Sequence, residues 1–452
     1  MRDARWRRLP SGALWIPGIW LAMASSRQMS FWLAQFGIGG HQSSRLEGSP
    51  VNVIFSGGLM LAAILVLSQR RFHWGQFVQR NLALSVMYAF FLCSMLWSPF
   101  PVPTAKRVLL DFGCVLTGLV ILSEREPAAS LRVVFVRVSY ILFPMSVIFM
   151  KYFPEIGRVI SPVSGAQMMC GVTVHKNLLG QMTVVFCLVL LWDLMESRRS
   201  AVGSGTEPER WVRLFNLAIG LYLLVVSNSA TSWIAFVLGL ALLLAGRRLA
   251  RMRNARRLFT TGVLAIVILF SLNQAFGVLT DVSETFERGP GLSGRTEIWR
   301  VTLENFRGSV VVGYGFRSFW ETSDGEATWK ELGTNQLLQS HNGYLEIYLH
   351  GGLVGLALLG VLLWATGRNA ADKLVGGEPL GRMAVVLWPI LLVINITEAQ
   401  FFQLGSLWFT TLVLVIDSPW PVCNRLDARR GRHFGSTATP TTEVARKLFA
   451  GR

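Results

Sequence analysis

The chain has 452 residues, of which 52% are hydrophobic and 15% charged, with a mean hydropathy of +0.45. That composition excludes an ordinary soluble enzyme and describes a polytopic membrane protein. The net charge of +17, from 43 Lys and Arg against 26 Asp and Glu, is dispersed among loops and not gathered on one domain, which argues against a nucleic-acid partner. The five cysteines, Cys93, Cys114, Cys170, Cys187 and Cys423, are scattered and odd in number, so they form neither a disulfide framework nor a zinc pattern.

A membrane span needs roughly 17–25 apolar residues, and its backbone must be paired internally, so each long apolar run reads as a helix. Arg2, Arg5, Arg7 and Arg8 precede the first run, Leu9–Ala24. The Ala22-Met23-Ala24 string there also fits a signal-peptide cleavage site, but polytopic proteins need no removable signal and an uncleaved first span is preferred. Further spans are expected at Val51–Leu67, Asn81–Trp97, Val108–Leu122 and Val133–Met150. A polar segment, Lys151 to Lys176, follows with Arg158, His175 and Lys176, and then a span at Leu178–Leu194. The stretch Leu214 to Ala245 is one very long helix or two short ones hinged at Ser227-Asn228-Ser229-Ala230-Thr231. Arg210 and Arg213 before it, and Arg247, Arg248, Arg251, Arg253, Arg256 and Arg257 after it, put both flanks on one side and require two crossings, Leu214–Val226 and Ser232–Ala245. Phe259–Phe276 leads into the one long polar interruption of the apolar half, Phe276 to Ser340; Tyr344–Ala365, Met383–Ile396 and Phe402–Ile416 complete the set.

The expected fold is therefore an all-α polytopic integral membrane protein with about twelve transmembrane helices and one long outer loop between the ninth and tenth. In domain terms, residues 1–417 form the membrane unit, residues 277–340 are the large loop within it, and residues 418–452 are a solvated tail without a fold. Counting along this topology puts 29 Lys and Arg on the inner segments and 7 on the short outer ones, which assigns both termini to the cytoplasm. The net charge is then mostly topology and lipid-headgroup attraction.

Three outer segments carry functional groups. Gly291-Leu292-Ser293-Gly294-Arg295-Thr296-Glu297-Ile298-Trp299 predicts a turn leading into a helix with Arg295 at its start, and Trp299 and Trp320 are placed to anchor at the interface. Gly313-Tyr314-Gly315-Phe316 predicts a second turn that returns Arg317 to the membrane surface. Arginine suits an anionic diphosphate because its planar fork donates several fixed hydrogen bonds and stays charged, although a lone loop arginine is more often simply solvated. His341, at headgroup depth where this loop ends, can accept a proton from a hydroxyl; a helix-capping role is the plain alternative. His350, beside Gly351-Gly352, reads as a packing or hydrogen-bonding residue. With no nucleotide-binding loop and no paired acidic cluster of metal-site type, an enzyme here would take an already activated substrate at the membrane, without cofactor or metal.

Gly294-Arg295-Thr296-Glu297-Ile298-Trp299, Gly313-Tyr314-Gly315-Phe316 with Phe319-Trp320, and His341-Asn342-Gly343-Tyr344-Leu345, in this order and placement, resemble the O-antigen ligase and polymerase superfamily, in particular exopolysaccharide repeat-unit polymerases. Gly171-Val172-Thr173-Val174-His175-Lys176-Asn177 and the Ser227–Thr231 hinge support the resemblance, which covers most of Val51 to Ile416. It implies an inverting, metal-independent glycosyl transfer at the periplasmic face of the bacterial inner membrane, from a polyprenyl-diphosphate-linked glycan. His341 would be the base and Arg295 the diphosphate ligand. Arg317, Arg158, His175, Lys176, Trp299, Trp320, Asn342 and Tyr344 would bind diphosphate or glycan. A chain-length-regulating co-polymerase would be expected as partner. A ligase that delivers glycan to a lipid core differs only in acceptor. A lipid-linked oligosaccharide flippase is the rival of another class; it is disfavoured because the spans hold few ionisable groups, chiefly Asp111, Arg137 and Glu346 read near helix ends, and show no related halves. A non-catalytic assembly subunit is the remaining reading, and the outer loop's oriented Arg, Trp and Gly make it the less simple one.

Overall fold

The computed structural model describes residues 11–38, 48–160, 165–197, 207–252, 254–257, 259, 261–262, 291–333 and 339–418. Helices form on the apolar runs: α1 (Trp15–Ala24), α2 (Pro50–Gln69), α3 (Leu82–Cys93), α4 (Pro101–Leu122), α5 (Pro127–Tyr152), α6 (Lys176–Ser197), α7 (Glu207–Val226) and α8 (Ala230–Arg251). The long polar segment contributes α9 (Gly291–Asn305), and α10 (Gly343–Val375), α11 (Gly381–Thr397) and α12 (Ser406–Val415) follow. Eleven of the twelve expected spans lie on these helices; the ninth, Phe259–Phe276, and the tail beyond Ser418 fall almost wholly or wholly outside the described residues. The stretch from Leu214 to Ala245 is split into α7 and α8, with Asn228 in the left-handed region at φ 44° and the Ser229 hydroxyl accepting the Ser232 N–H as an N-cap.

Four of the described helices are individually long and apolar enough to cross a membrane, Pro50–Gln69, Pro127–Tyr152, Lys176–Glu196 and Gly343–Val375. A fifth is added if Trp74–Arg80 and Leu82–Leu96, bent by 99°, form one span. Side chains agree with a multi-pass membrane protein. Ile54, Leu61, Phe215, Val237, Leu244, Val361 and Trp364 stand outward and exposed, whereas Thr117, Ser139, Ser146 and Asn395 are fully buried inside the bundle. Close helix approach uses small residues: at Gly113 a Cβ would come 2.2 Å from the Trp20 ring, so α1 and α4 pack only because that position is glycine.

Two expectations need amendment. The all-α expectation is amended by a small antiparallel hairpin, β1 (Arg158–Ile160) with β2 (Gln167–Met169), in the polar segment Lys151 to Lys176; its β-branched and Met residues suit a strand pair where the chain leaves the bundle. Asp111 and Arg137 are not near helix ends, because α4 starts at Pro101 and α5 at Pro127, each well before its apolar run. Proline is favoured in a first helical turn, where its missing N–H costs nothing.

At Gly352 the helix α10 breaks, with φ 58° and ψ −152°, a conformation open essentially to glycine alone. The break frees backbone groups that hydrocarbon would not satisfy. The 310–315 segment of the outer loop docks there and supplies the partners. Tyr314 and Gly315 N–H donate to the carbonyls of Leu349 and His350 at 2.9 and 3.0 Å, and Leu353 and Val354 N–H donate to the carbonyls of Val310 and Val311 at 2.9 and 3.0 Å. Trp97 Nε1 closes the dock on the Val312 carbonyl at 3.1 Å. A Cβ at Gly352 would meet the Val311 carbonyl carbon at 2.4 Å. Gly352→Ala is therefore expected to destabilise the detergent-solubilised protein by at least about 1–3 kcal/mol from backbone strain alone. Gly360→Ala on the same helix, where a Cβ meets nothing within 4 Å, should leave the melting temperature unchanged; equal melting of the two variants would sink this account of the break.

Candidate functional site

The centre of the site is a carboxylate that the sequence reading did not single out. Glu398 caps the C-terminus of α11, its N–H bonded to the Ile394 carbonyl at 2.8 Å, and the residue is only 3% exposed. Asn395 shapes the turn that follows: its Oδ1 accepts the N–H groups of Gln400 and Phe401 at 2.8 and 2.9 Å. The Glu398 carboxylate gathers three groups from distant segments. Oε1 accepts from Arg295 at 2.8 Å and from Asn177 Nδ2 at 2.7 Å, and Oε2 lies 3.0 Å from His341 Nδ1. Burial alone would push the Glu398 carboxyl up. The His341 hydrogen bond, the charges of His341 and Arg295 and the Asn177 amide outweigh burial and hold it below the usual carboxylate value.

An ionised carboxylate only accepts, so His341 Nδ1 carries a hydrogen in either charge state, and when the ring is neutral Nε2 is the lone-pair nitrogen. His341 sits at φ 53°, in the left-handed region, held between Ser340, whose carbonyl accepts Trp299 Nε1 at 2.9 Å, and Asn342, whose Oδ1 caps α10 through the N–H groups of Tyr344 and Leu345 at 3.0 and 3.1 Å. The turn expected at Gly291–Gly294 is instead helical, so α9 begins at Gly291 and Arg295 lies one turn in and not at the helix start.

His175 completes the cluster with the opposite tautomer. Its Nδ1 accepts the Asn177 N–H at 3.2 Å at the start of α6, which leaves Nε2 to carry the hydrogen. Burial lowers its pKa, the Glu398 charge opposes this, and the charges of His341, Lys176 and Arg295 lower it further, so His175 is neutral at pH 7. Lys176 Nζ donates to the Asn228 carbonyl of the α7–α8 hinge at 3.3 Å, and Thr397 Oγ1 donates to Thr231 Oγ1 at 3.3 Å, so the hinge walls this side of the cluster.

The other expected site residues are engaged elsewhere. Arg158 is spent on the Met150 carbonyl and on Gln167 at 2.7 and 3.2 Å, as part of the hairpin. Arg317 does not return to the membrane surface: it turns inward, donates to the Phe402 carbonyl and lies 3.8 Å from buried Asp111, which Tyr88 also bonds at 2.6 Å. Trp320 is not an interface anchor. It is 5% exposed and its Nε1 donates to Glu346 at 3.0 Å, because a buried carboxylate must find donors. Glu346 also accepts the Ser340 N–H at 2.5 Å and lies 3.3 Å from His350 Nε2, in line with the packing role read for His350. Asn342 acts as a helix cap, and the Tyr344 hydroxyl donates to the Leu392 carbonyl at 3.2 Å. Trp299, Trp320, Asn342 and Tyr344 thus fix the backbone around His341. Among the described residues no group of three or more His, Cys, Asp or Glu could hold a metal. The signal for Glu398 was present but thin: it is the sole acid in the short turn between two apolar runs.

A carboxylate held below its ordinary value in the folded state stabilises the protein at pH above the unfolded value of about 4.3, and that stability is lost as pH falls through the folded value. Wild type should therefore melt above Glu398→Gln at neutral pH, with the gap closing below about pH 4. A gap that widens on acidification would contradict the ionised, triply bonded Glu398.

Residues 215–360 match the protein family described as O-antigen ligase. The chain is also 27% identical over 219 residues to the exopolysaccharide production protein ExoQ of Rhizobium meliloti (strain 1021), covering 45% of this chain and 46% of the relative. The alignment thus spans about half the length of that curated relative. The family match contains Arg295, His341 and the break at Gly352, while Asn177, His175 and Glu398 lie outside it. Through this segment the chain is similar to the O-antigen ligase family and to ExoQ.

Proposed function

We propose that this protein polymerises polyprenyl-diphosphate-linked oligosaccharide repeat units into exopolysaccharide at the periplasmic face of the bacterial inner membrane. The observation that carries the reading is the single buried carboxylate that holds both Arg295 and the Nδ1 edge of His341. In the step proposed, His341 Nε2 takes the proton of the acceptor sugar hydroxyl, whose oxygen attacks the anomeric carbon of the donor with inversion. The carbon–oxygen bond to the diphosphate breaks, and the polyprenyl diphosphate leaves with its charge stabilised by Arg295 and Lys176. A diphosphate leaving group needs charge neutralisation more than protonation, so cations and a base suffice without metal or cofactor. Glu398 keeps the imidazole in the tautomer that exposes its lone pair, as an oriented carboxylate does in other His-based sites. His175, neutral and donating through Nε2, is suited to a phosphate or sugar oxygen. The twelve-span topology with cytoplasmic termini, and a chain-length-regulating co-polymerase as partner, belong to the same proposal.

The name of the matched family favours one second reading, a ligase that transfers the finished glycan to a lipid A-core acceptor. The donor chemistry is the same, and only the product separates them.

Complementation of a deletion strain, with size analysis of secreted and lipid-linked glycans and immunoblots for membrane levels, tests both. His341→Ala and Arg295→Ala should abolish polymer and leave single repeats on the lipid carrier. In Glu398→Gln the amide would donate to His341 Nδ1 and move the ring hydrogen to Nε2, so polymerisation should slow by about 10²–10⁴-fold at normal protein level. Polymer built but left unattached would support the ligase reading. Normal glycans in all three variants would remove the catalytic site and return the flippase reading to consideration.

A further inference from the structure

α4 carries a polar stripe that the proposed reaction leaves unused. Thr104, Arg107 and Asp111 occupy i, i+3 and i+7 and so face one way. Asp111 is about 15 Å from the start of the helix and its side chain is fully buried. An ionisable group at that depth in a span is costly and marks a function. All three side chains grip one short stretch of the long polar segment, residues 317–321. Thr104 Oγ1 and the Ser98 hydroxyl lie 2.9 and 2.8 Å from the Ser318 hydroxyl. Arg107 donates to the Arg317 carbonyl and pairs with Glu321 at 3.5 Å. Asp111 lies 3.8 Å from Arg317 Nη2 and accepts from the Tyr88 hydroxyl at 2.6 Å.

From this grip the Arg317 guanidinium reaches on to the carbonyl of Phe402. Phe402 lies in the turn between Glu398 and the start of α12 at Ser406, and its backbone is left-handed at φ 53°, as is that of Arg317 itself. A bulky aromatic residue rarely adopts that conformation and keeps it only where its surroundings over-determine it. Here the Phe402 ring is fully buried among Tyr88, Phe91 and Trp408, at centroid distances of 5.4, 5.1 and 4.6 Å. The near end of the same turn is held by Asn395, through the N–H groups of Gln400 and Phe401. Glu398 therefore stands in a turn held at both ends, from α11 at one and from α4, through Arg317, at the other. Two further left-handed residues belong to the site itself: His341, bonded to Glu398, and Asn228, whose carbonyl accepts from Lys176.

We propose that Asp111 and Arg317 are positioning residues. Asp111 orients the Arg317 guanidinium onto the Phe402 carbonyl, and that contact sets where Glu398 stands against His341 and Arg295. Both act through the turn and not on the reacting groups. The inference rests on the reading of the Glu398–His341 pair given under the proposed function.

The test uses the full-length protein reconstituted in liposomes, with lipid-linked glycans extracted from the deletion strain as substrate and melting temperature as the check on folding. Asp111→Asn/Arg317→Met removes both charges together, so no buried charge is left without a partner, and the amide still accepts from Tyr88. This variant should melt near wild type yet show a kcat lower by about 10–100-fold at unchanged KM, the order of effect expected when a reacting group is misplaced by about 1 Å. Arg317→Lys keeps a cation for Asp111 but ends one bond short of the Phe402 carbonyl. It should show the same loss, which covers the case of a double variant that does not fold. In a Glu398→Gln background, Asp111→Asn/Arg317→Met should lower kcat by less than about twofold more, because residues that act through Glu398 have nothing left to act on. A merely structural role would slow both backgrounds equally. That equal loss, or full turnover by the folded variants while His341→Ala is inactive, would overturn the proposal and leave the proposed reaction standing. Full turnover by His341→Ala would remove the reaction and this inference with it.

Discussion

The ion-paired carboxylate of Glu398 is the constraint on which the candidate-site end of the molecule depends. It is buried and ionised, and its three donors come from positions 221, 103 and 57 residues away in sequence. A buried charge without partners costs several kcal/mol, so the start of α6, the start of α9 and the turn before α10 must all converge on one point. Ion pairs of this kind add little net stability over apolar packing; what this one fixes is position. The requirement propagates backwards. Asn395 holds the turn that carries Glu398, and a Cβ at Gly343 would come 1.9 Å from the Asn395 Oδ1, so the first turn of α10 can lie on this turn only as glycine. His341, two residues earlier, has a left-handed backbone at φ 53°.

A second constraint anchors the outer loop from below. The break at Gly352 exposes four backbone groups, and the loop segment 310–315 satisfies them as a strand would satisfy a sheet edge. The loop is thereby fastened into the bundle and not merely laid on it. Arg317, directly after this dock, carries the fastening further through the Phe402 carbonyl and Asp111, while Arg107 donates to the Arg317 carbonyl and pairs with Glu321 at 3.5 Å. Glu346 and Trp320 do the same between the loop and α10. Charged and aromatic groups that look like ligands in a linear reading are in this way consumed in holding the site rigid. Arg295 and His341, set on such a frame, are held in fixed positions, the condition under which electrostatic stabilisation is most effective.

The two ends of the bundle use charge differently. At the outer end, opposite charges meet inside the protein, and Glu398 is satisfied by this chain alone. At the opposite end one aspartate, Asp193, is shared by Arg132 and Arg213. α6 connects the two ends, with Asn177 bonded to Glu398 near its start and Asp193 bonded to Arg132 and Arg213 near its end.

Hydropathy and the spacing of charged residues by themselves determined the apolar helices and the split between α7 and α8, and marked Arg295 and His341 as candidates in the long polar segment, because hydrocarbon burial and positive-charge bias act locally along the chain. His175 and Lys176 were legible as a polar group at the end of an outer segment. Which of the remaining groups would meet was not legible. Arg158, Arg295 and Arg317 are alike in sequence, each an arginine in an outer polar segment. One pairs with a hairpin, one with the site carboxylate and one with a buried aspartate, and that choice was made by helix packing. Glu398 and Asn177 became central only when α11 and α6 came together, since a carboxylate's role is set by the donors that its burial forces upon it, and those donors were separated by more than a hundred residues for Asn177 and Arg295.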